Sequence, residues 1–221
     1  MENESNSYGQ ARLLQFRDEP LQSTFNCFLK RSFDVTISLI VIIFILSWLI
    51  PLFCLLIKLT SKGPVFFIQE RTGKDGQKFK MYKFRSMYVN DESDTKAAEH
   101  NDPRITPIGK FMRLTHIDEF PQFIHALTGK MSIVGPRPHM TLHTEEYSQQ
   151  IPHFMVRHAV KPGITGLAQV NGFRGAIKSL DDMKGRVEND IWYIENWSLW
   201  IDLKVVFRTF VIIFKAIGKH R

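Results

Sequence analysis

The chain has 221 residues and a mass of 25.8 kDa, a size that suits one globular domain together with a membrane segment. Its net charge of +7 predicts a negatively charged partner, which composition leaves open among phosphates, anionic lipid and nucleic acid. The two cysteines, Cys27 and Cys54, exclude a disulfide framework and a cysteine-based zinc site. The polar start from Met1 to Gly9 argues against a cleaved signal peptide.

An apolar run of 23 residues without a charge extends from Val35 to Ile57. About 20 such residues suffice to cross the hydrocarbon core of a bilayer, so a single spanning helix is one interpretation. Ser47 and Pro51 favour a re-entrant hairpin instead, because proline removes a helical hydrogen bond and a serine hydroxyl can satisfy a freed carbonyl. Lysine and arginine flank both ends of the run, which suits both ends lying on the cytoplasmic side.

Residues 63 to 88 predict a β-hairpin. Two β-prone segments flank a turn that contains Gly73 and the pair Asp75 and Gly76, which suit the positive φ angles of a hairpin. Basic and aromatic residues alternate between positions 71 and 85, a pattern that occurs in proteins binding single-stranded nucleic acid and also on solvated strand faces. The polar residues 90–101 predict a surface loop.

Two adjacent carboxylates, Asp118 and Glu119, precede Pro121. Proline is favoured in the first turn of a helix, so we expect a helix to begin there. The free N–H groups and positive dipole end of that helix would keep both carboxylates ionised. An ionised, positioned aspartate suits a nucleophile or a Mg²⁺ ligand, and an acidic cap on an ordinary helix is the alternative.

Rigid loops rich in proline and glycine follow these carboxylates, and each loop carries a cation. Arg137 lies between two prolines, Lys161 begins the second loop, and Arg174 lies in the third. Stiffly held cations around a carboxylate pair suit a phosphate-rich substrate, because an arginine matches phosphate oxygens at two points. The sequence contains neither of the glycine-rich motifs of P-loop and Rossmann nucleotide sites.

The C-terminal segment from Leu199 to Lys219 predicts an amphipathic helix. Its basic residues cluster on one side, and they are Lys204, Arg208, Lys215 and Lys219. The opposite side is apolar, with Leu199, Leu203, Val206, Phe210, Ile213 and Ile217. This pattern is typical of a helix lying in the membrane interface, and a helix packed on the soluble core is the alternative.

Several motifs occur in a fixed order from about Lys30 to Lys219. They are Lys30-Arg31-Ser-Phe-Asp34, Ser61-Lys-Gly-Pro-Val-Phe-Phe67, Gln69-Glu-Arg-Thr-Gly73, Lys83-Phe-Arg-Ser-Met87, Asn101-Asp-Pro-Arg104, Ile117-Asp-Glu-Phe-Pro-Gln122, Ser132-Ile-Val-Gly-Pro-Arg-Pro138, and Arg157-His158 leading to Lys161-Pro-Gly-Ile-Thr-Gly-Leu-Ala-Gln-Val-Asn-Gly172. On these motifs the chain resembles the bacterial sugar transferases, the monotopic phosphoglycosyl transferases that attach a sugar phosphate to a polyprenyl-phosphate carrier.

The resemblance implies an α+β fold, mainly α, with a re-entrant (or spanning) N-terminal membrane helix, a small β-hairpin and a cytosolic catalytic core with interfacial amphipathic helices. The expected parts are a polar leader at 1–29, a membrane helix-break-helix at 30–60 and the catalytic core at 61–221. The implied reaction transfers a sugar 1-phosphate from a UDP-sugar to undecaprenyl phosphate and releases UMP. It would begin an exopolysaccharide, capsule or O-antigen-type glycan at the bacterial inner (cytoplasmic) membrane, with the core facing the cytoplasm.

The resemblance also implies roles for particular residues. Asp118 would be the nucleophile that forms a phosphosugar-aspartate intermediate, Glu119 its acidic partner, and both would hold Mg²⁺. Binding of substrate or phosphate is expected of Lys83, Arg85, Arg113, Arg137, Arg157, Gln169 and Arg174. The expected partners are undecaprenyl phosphate, a UDP-sugar and membrane lipid, without nucleic acid; a homo-oligomer is compatible with the resemblance.

Two positions depart from the family pattern. Family members commonly carry Ser-Pro at the membrane bend, whereas Trp48 follows Ser47 here and the proline is Pro51. The usual tryptophan of a Thr-Gly-Trp-Ala-Gln stretch is Leu167. Residues 138–140 and 171–175 look most like the undecaprenyl-phosphate glucose phosphotransferases, which favours glucose. The alternative function is a non-enzymatic, membrane-bound basic module that binds nucleic acid or lipid, but it leaves the rigid arginine-bearing loops unexplained.

Overall fold

A computed structural model describes residues 19–90 and 102–219 of the chain. Most of the expected polar leader and of the loop at 90–101 therefore lies outside the described residues. The helices are α1 (Thr24–Val41), α2 (Ser47–Thr60), α3 (Pro107–Thr115), α4 (Gln122–Thr128), α5 (Thr141–Gln150), α6 (Leu167–Val170), α7 (Leu180–Glu195) and α8 (Leu199–Lys219). The strands are β1 (Phe66–Thr72), β2 (Lys78–Phe84), β3 (Ser132–Val134) and β4 (Gly163–Thr165). This mainly helical α+β fold, with its long apolar N-terminal helix and small hairpin, confirms the coarse prediction.

Helices α1 and α2 form one continuous helical segment, Thr24–Thr60, because a π-helical turn at Ile42–Leu46 joins them. Within the described residues it is the one helix that is long and apolar enough to cross a membrane. Only 22% of its most apolar 18-residue stretch is buried inside the protein, so most of its large side chains face outward. The exposed ones are Phe25, Phe28, Leu39, Ile40, Ile43, Phe44, Trp48, Leu52, Leu55 and Leu59.

The π-helical turn begins at Ile42, before Ser47 and Pro51, the two residues at which the sequence predicted a bend. The Ser47 hydroxyl donates to the Ile43 carbonyl at 2.7 Å, and the indole N–H of Trp48 donates to the Phe44 carbonyl at 2.9 Å. Pro51 lies inside α2, where backbone geometry stays helical. Departures from α-helical hydrogen bonding such as this π turn are a common origin of bends, and side-chain donors that find intrahelical acceptors avoid unpaired polar groups in lipid.

The beginning of the membrane segment is hydrogen-bonded to the folded core. The Arg31 guanidinium donates to the carbonyl of Ala126, in α4, at 2.7 Å and also to the next carbonyl. The buried Asp34 carboxylate accepts from the Ser132 hydroxyl at 2.8 Å and from the Ile133 amide at 2.9 Å. The start of α1 is therefore fixed against α4 and β3.

The end of the membrane segment is tied to the same core through the hairpin. Arg85, directly after β2, donates to the carbonyls of Ser61 at 3.1 Å and Pro64 at 2.5 Å. Strand β2 is in turn bonded to α4, because the Tyr82 amide donates to His125 Nε2 at 3.1 Å. Both ends of the segment thus meet elements that contact one another.

The hairpin prediction is confirmed. Strands β1 and β2 pair antiparallel from Phe66 opposite Phe84 to Thr72 opposite Lys78. The positive φ angles fall at Asp75 (54°) and Gly76 (73°), and the preceding glycine is extended. Phe84 is buried, and Lys83 and Arg85 contact protein groups, so the end of β2 is packed against the protein.

A second, parallel strand pair was not predicted. Strand β3 pairs with β4, with Ser132 opposite Gly163 and Val134 opposite Thr165. The backbones approach closely enough that a Cβ on Gly163 would lie 2.1 Å from the Gly135 nitrogen, so a residue with a side chain does not fit there. Two of the rigid glycine-proline loops are therefore joined to each other.

Helix α8 has the bounds predicted for the amphipathic helix. Asp202 and Val205 are buried, and the half-buried Val206 packs against the core. A second side exposes an apolar stripe, and the basic residues Lys204, Arg208 and Lys215 are exposed as well. The stripe consists of Trp200, Leu203, Phe207, Phe210 and Phe214. The helix thus packs on the core along one side only, and its position at a membrane interface stays a prediction.

Candidate active site

The carboxylate pair lies on a tight connection between α3 and α4. His116 ends α3 in the left-handed conformation, with φ 57°, and residues Ile117–Glu119 form a single 3₁₀ turn. Helix α4 begins at Gln122 with Pro121 as its N-cap, so the helix predicted at Pro121 is found one residue later, and the carboxylate pair lies in the 3₁₀ turn before it. The reversal at His116 places both carboxylates inside the protein, where each is at most 9% exposed.

Glu119 is held by two cations. Its Oε1 accepts from Lys83 Nζ at 2.9 Å and from Arg137 Nη2 at 2.5 Å, and its Oε2 lies 3.3 Å from Arg137 Nη1. Burial alone would raise the pKa of Glu119, but Arg137 and Lys83 together lower it well below its ordinary value. Glu119 is therefore a permanently ionised group that fixes both cations beside Asp118.

Asp118 differs from its neighbour. It lines a cavity, and the structure shows no hydrogen bond from a described residue to its carboxylate. Burial, followed by the charge of Glu119, raises the pKa of Asp118 to about 6, although Lys83 and Arg113 oppose the rise. The sequence predicted that a helix terminus would hold both carboxylates ionised. For Asp118 the pKa is raised because desolvation and the charge of Glu119 outweigh the cations, but a pKa of about 6 still leaves this carboxylate mostly ionised at pH 7.

The cavity beside Asp118 has a volume of about 730 Å³ and a strongly cationic wall. Its lining cations are Arg71, Lys83, Arg85, Arg113, Arg137 and Arg186. Asp118 is the one carboxylate among the described residues that line it. Apolar residues from β1 and from positions 87–89, together with His143, Tyr147 and Ile177, also line it. A cavity of this size with this charge suits a ligand that carries phosphate groups.

The expected substrate-binding residues divide into two groups. Lys83, Arg113 and Arg137 lie with Asp118 at the cavity. Arg85 also lines it, but its guanidinium donates to backbone carbonyls at the end of the membrane segment. Arg157 is fully buried and forms an ion pair with Asp190, with Nη2 and Oδ2 2.6 Å apart. Binding of substrate by these residues stays a prediction. In the structure, the contacts of Arg85 and Arg157 are with protein groups.

Arg157 also supports the loop that carries Arg137. Its Nη2 donates to the Arg137 carbonyl at 3.0 Å, and its Nη1 lies 2.7 Å from His139 Nδ1. Gln169 lies in α6 and is not among the residues that line the cavity. Arg174 is exposed on the loop before α7 and lies near His116. Burial lowers the pKa of His116, and the charges of Arg137 and Arg174 lower it further.

Sequence reasoning missed Arg186 as a cavity residue. It lies on α7 between the core residues Met183 and Val187, and Asp190 is one turn later. Two charged residues on the buried stripe of an amphipathic helix were the available signal, because such groups are buried only when they are paired or functional.

Comparison with known families identifies the family of the chain. The family model "Bacterial sugar transferase" matches residues 25–216. The chain belongs to the bacterial sugar transferase family. The motifs from Lys30 to Gly172 therefore all lie in the part of the chain that the family model matches.

Three curated members of the family show its range. The chain is 51% identical over 194 residues to the UDP-glucose:undecaprenyl-phosphate glucose-1-phosphate transferase of Escherichia coli K12, covering 87% of this chain and 41% of that protein. It is 41% identical over 199 residues to an N-acetylgalactosaminephosphotransferase of Aeromonas hydrophila that is named for UDP-N-acetylgalactosamine and undecaprenyl phosphate, covering 90% and 46%. It is 42% identical over 188 residues to the exopolysaccharide production protein PSS of Rhizobium leguminosarum, covering 83% and 94%. The chain thus spans about two fifths of the length of the first relative and nearly all of the third.

Proposed function

We propose that the protein transfers a sugar 1-phosphate from a UDP-sugar to undecaprenyl phosphate, with release of UMP. The names of the relatives supply the substrate classes. The observation that carries the proposal is the Asp118 carboxylate, which has no hydrogen bond from a described residue and faces a cavity with six lining cations. An unpaired carboxylate beside cations that can bind phosphate has the chemistry of a nucleophile for phosphoryl transfer.

The reaction would proceed in two steps at one site. An Asp118 carboxylate oxygen bonds to the sugar-linked phosphorus as the bond between that phosphorus and the UMP oxygen breaks. UMP leaves, and a phosphate oxygen of undecaprenyl phosphate then bonds to the same phosphorus and displaces Asp118. Lys83, Arg113 and Arg137 would stabilise the charge on the phosphate oxygens in both steps.

Mg²⁺ fits this arrangement only with ligands supplied by the substrate. The described residues contain no cluster of three or more side chains able to hold a metal ion. Mg²⁺ commonly takes one or two carboxylates together with substrate phosphates and water, and Asp118 and the Oε2 atom of Glu119 have free acceptor positions. The ion would offset negative charge on the leaving phosphate. We expect chelation with EDTA to abolish turnover and added Mg²⁺ to restore it; turnover that survives chelation would exclude the ion.

A panel of UDP-sugars tests the reaction and the donor together. Purified protein in lipid is incubated with undecaprenyl phosphate and UDP-glucose, UDP-galactose or UDP-N-acetylgalactosamine, and UMP release is measured. We expect UDP-glucose to be the best donor and Asp118→Asn to abolish release. Asp181→Asn, which changes an exposed carboxylate on α7, is the matched control and should leave turnover unchanged. Normal turnover by Asp118→Asn would refute the proposal.

The membrane segment is proposed to enter and leave the bilayer on one side. A straight helix of its 37 residues would be about 55 Å long. Its beginning, however, is bonded to α4 through Arg31, and its end is bonded through Arg85 to the residues after β2, which itself contacts α4. A spanning helix would separate these two attachments by a bilayer. The exposed aromatic stripe of α8 would lie at the interface of the same leaflet, and the core would face the cytoplasm.

Cysteine accessibility tests this topology. In one variant Cys27 is the single cysteine, and in another a single cysteine is introduced by Lys62→Cys; both positions are exposed on the protein. In sealed inner-membrane vesicles of known orientation, we expect a membrane-impermeant thiol reagent to label both from the same side. Labelling from opposite sides would refute the hairpin and support a spanning helix.

A further inference from the structure

Arg186 is a buried cation of the cavity that the reaction described above does not yet use. It lies on α7, is 7% exposed and lines the cavity that contains Asp118. Its Nη2 donates to the Gly175 carbonyl at 3.1 Å. Its Nε is buried and has no hydrogen-bond partner in the part of the chain that the structure describes. Buried donors in proteins are normally hydrogen-bonded, and a buried charge is normally paired. A bound ligand is therefore the expected partner of this N–H group.

The charges around Arg186 indicate that this partner is an anion. Its neighbour Asp190 is already bound by Arg157 through two nitrogens, at 2.6 and 3.0 Å. Burial lowers the pKa of Arg186, and the nearby Arg137 and Arg157 lower it further, while Asp182 and Asp190 compensate only in part. Positive charge is therefore in excess at this end of the cavity, and a bound phosphate would neutralise it.

Contacts along the cavity connect Arg186 with Asp118 through Arg137. The Arg137 guanidinium donates to Glu119, the neighbour of Asp118. The Arg137 carbonyl accepts from Arg157, which pairs with Asp190, one turn after Arg186 on α7. If Asp118 bonds to the sugar-linked phosphorus, the next phosphate of the donor, which belongs to the leaving nucleotide, extends toward Arg137 and Arg186.

We propose that Arg186 binds the phosphate that lies opposite Asp118 across the reacting phosphorus, which belongs to the leaving nucleotide in the first step and to undecaprenyl phosphate in the second. The inference rests on the proposed function, because it takes Asp118 as the point of attack. Displacement at phosphorus is in line, so the phosphate of the acceptor attacks from the side that UMP has left. Arg186 therefore serves both half-reactions.

A purely structural role is the competing explanation. Arg186 contacts the loop before α7 through Gly175, and Phe173 of that loop packs so closely on Gly185 that a Cβ there would lie 2.3 Å from its ring. In that case, loss of Arg186 would only displace this loop, and its effect on binding would not depend on whether the ligand carries a phosphate. Phe173→Ala loosens the same loop without removing the charge, and it shows the pattern that a structural role produces.

Two-substrate kinetics test the proposal, because in a two-step mechanism kcat/KM for each substrate reports its own half-reaction. For Arg186→Met we expect kcat/KM for the UDP-sugar to fall about 10- to 100-fold, the range for a lost charge-assisted hydrogen bond. The value for undecaprenyl phosphate should fall by a similar factor, because its phosphate takes the position that UMP has left. Lys184→Met removes an exposed cation of α7 and should change neither value. An unchanged value for either substrate in Arg186→Met would overturn the inference.

Ligand binding provides a readout that needs no turnover. In an Asp118→Asn background, Arg186→Met should weaken UMP binding about 10- to 100-fold and leave uridine binding unchanged, because uridine lacks the phosphate. Equal weakening of both ligands would overturn the assignment to phosphate. If Arg186→Met fails to fold, Arg186→Lys, which keeps the charge but loses the fork, should show the same selective loss at smaller magnitude; unchanged UMP binding would then refute the proposal. Absence of turnover in the unaltered protein would refute the proposed function, whereas these binding results would still decide the role of Arg186.

Discussion

The ionisation of Asp118 predicts how the first half-reaction depends on pH. A nucleophilic carboxylate must be deprotonated, and burial together with the charge of Glu119 raises the pKa of Asp118 from the ordinary 3.8 to about 6. This difference corresponds to about 3 kcal/mol in favour of the protonated carboxyl. We expect kcat/KM for the UDP-sugar to rise with pH to a plateau above pH 6 and to be about tenfold below that plateau at pH 5.

The choice of kinetic parameter makes this test specific to the enzyme. Both phosphates of a UDP-sugar are diesters and do not titrate near pH 6, whereas undecaprenyl phosphate is a monoester that does. The value for the donor therefore reports the free protein. The raised pKa of Asp118 also makes the stability of the folded protein depend on pH. The stabilisation that comes from protonated Asp118 is fully present below its pKa in the unfolded chain, near 3.8, and is lost as the pH rises through about 6.

Glu119→Gln provides the matched perturbation. It removes a like charge beside Asp118 and releases Lys83 and Arg137, which both favour the ionised form of Asp118. Whatever the loss of rate, the rise in kcat/KM for the donor should move to lower pH by about one pH unit. Steady-state UMP release between pH 4.5 and 8 measures both profiles. An unaltered protein with a flat profile down to pH 4.5, or an unchanged midpoint in Glu119→Gln, would refute this reasoning.

Three further substitutions test other parts of the structure. Arg137→Ala should lower kcat about 10²- to 10³-fold, as loss of a transition-state donor does, and unchanged turnover would exclude Arg137 from the reaction. Asp190→Asn leaves the buried charge of Arg157 unpaired and should lower the free energy of unfolding by about 3–5 kcal/mol, measured by denaturant unfolding in detergent; an unchanged midpoint would contradict the buried ion pair. Gly109→Ala places a Cβ 1.9 Å from a backbone oxygen and should destabilise by about 1–3 kcal/mol, whereas the control Gly218→Ala has open space and should be neutral or stabilising.

Local patterns in the sequence were sufficient for the elements that depend on neighbouring residues. The alternation and turn residues of the hairpin, the uncharged run of the membrane segment and the wheel pattern of α8 all correspond to observed elements. Charge and loop stiffness also indicated that Arg137 would lie near Asp118, and the structure places both at one cavity.

The features that were missed depend on contacts distant in sequence. Strands β3 and β4 have three residues each, too few for a recognisable alternation, and they pair only because glycines allow their backbones to approach. The raised pKa of Asp118 follows from burial, which the local sequence did not reveal. Arg186 reaches the cavity from a helix almost seventy positions further along the chain, so only the packing of α7 shows its relation to Asp118.

Direct detection of a phosphosugar on Asp118 tests the central claim. Purified protein is incubated with UDP-glucose in the absence of undecaprenyl phosphate, quenched, digested and examined by mass spectrometry. We predict a hexose-phosphate adduct on the peptide that contains Asp118, its disappearance when undecaprenyl phosphate is added, and no adduct in Asp118→Asn. Formation of the lipid-linked product by protein that never carries this adduct would contradict the account.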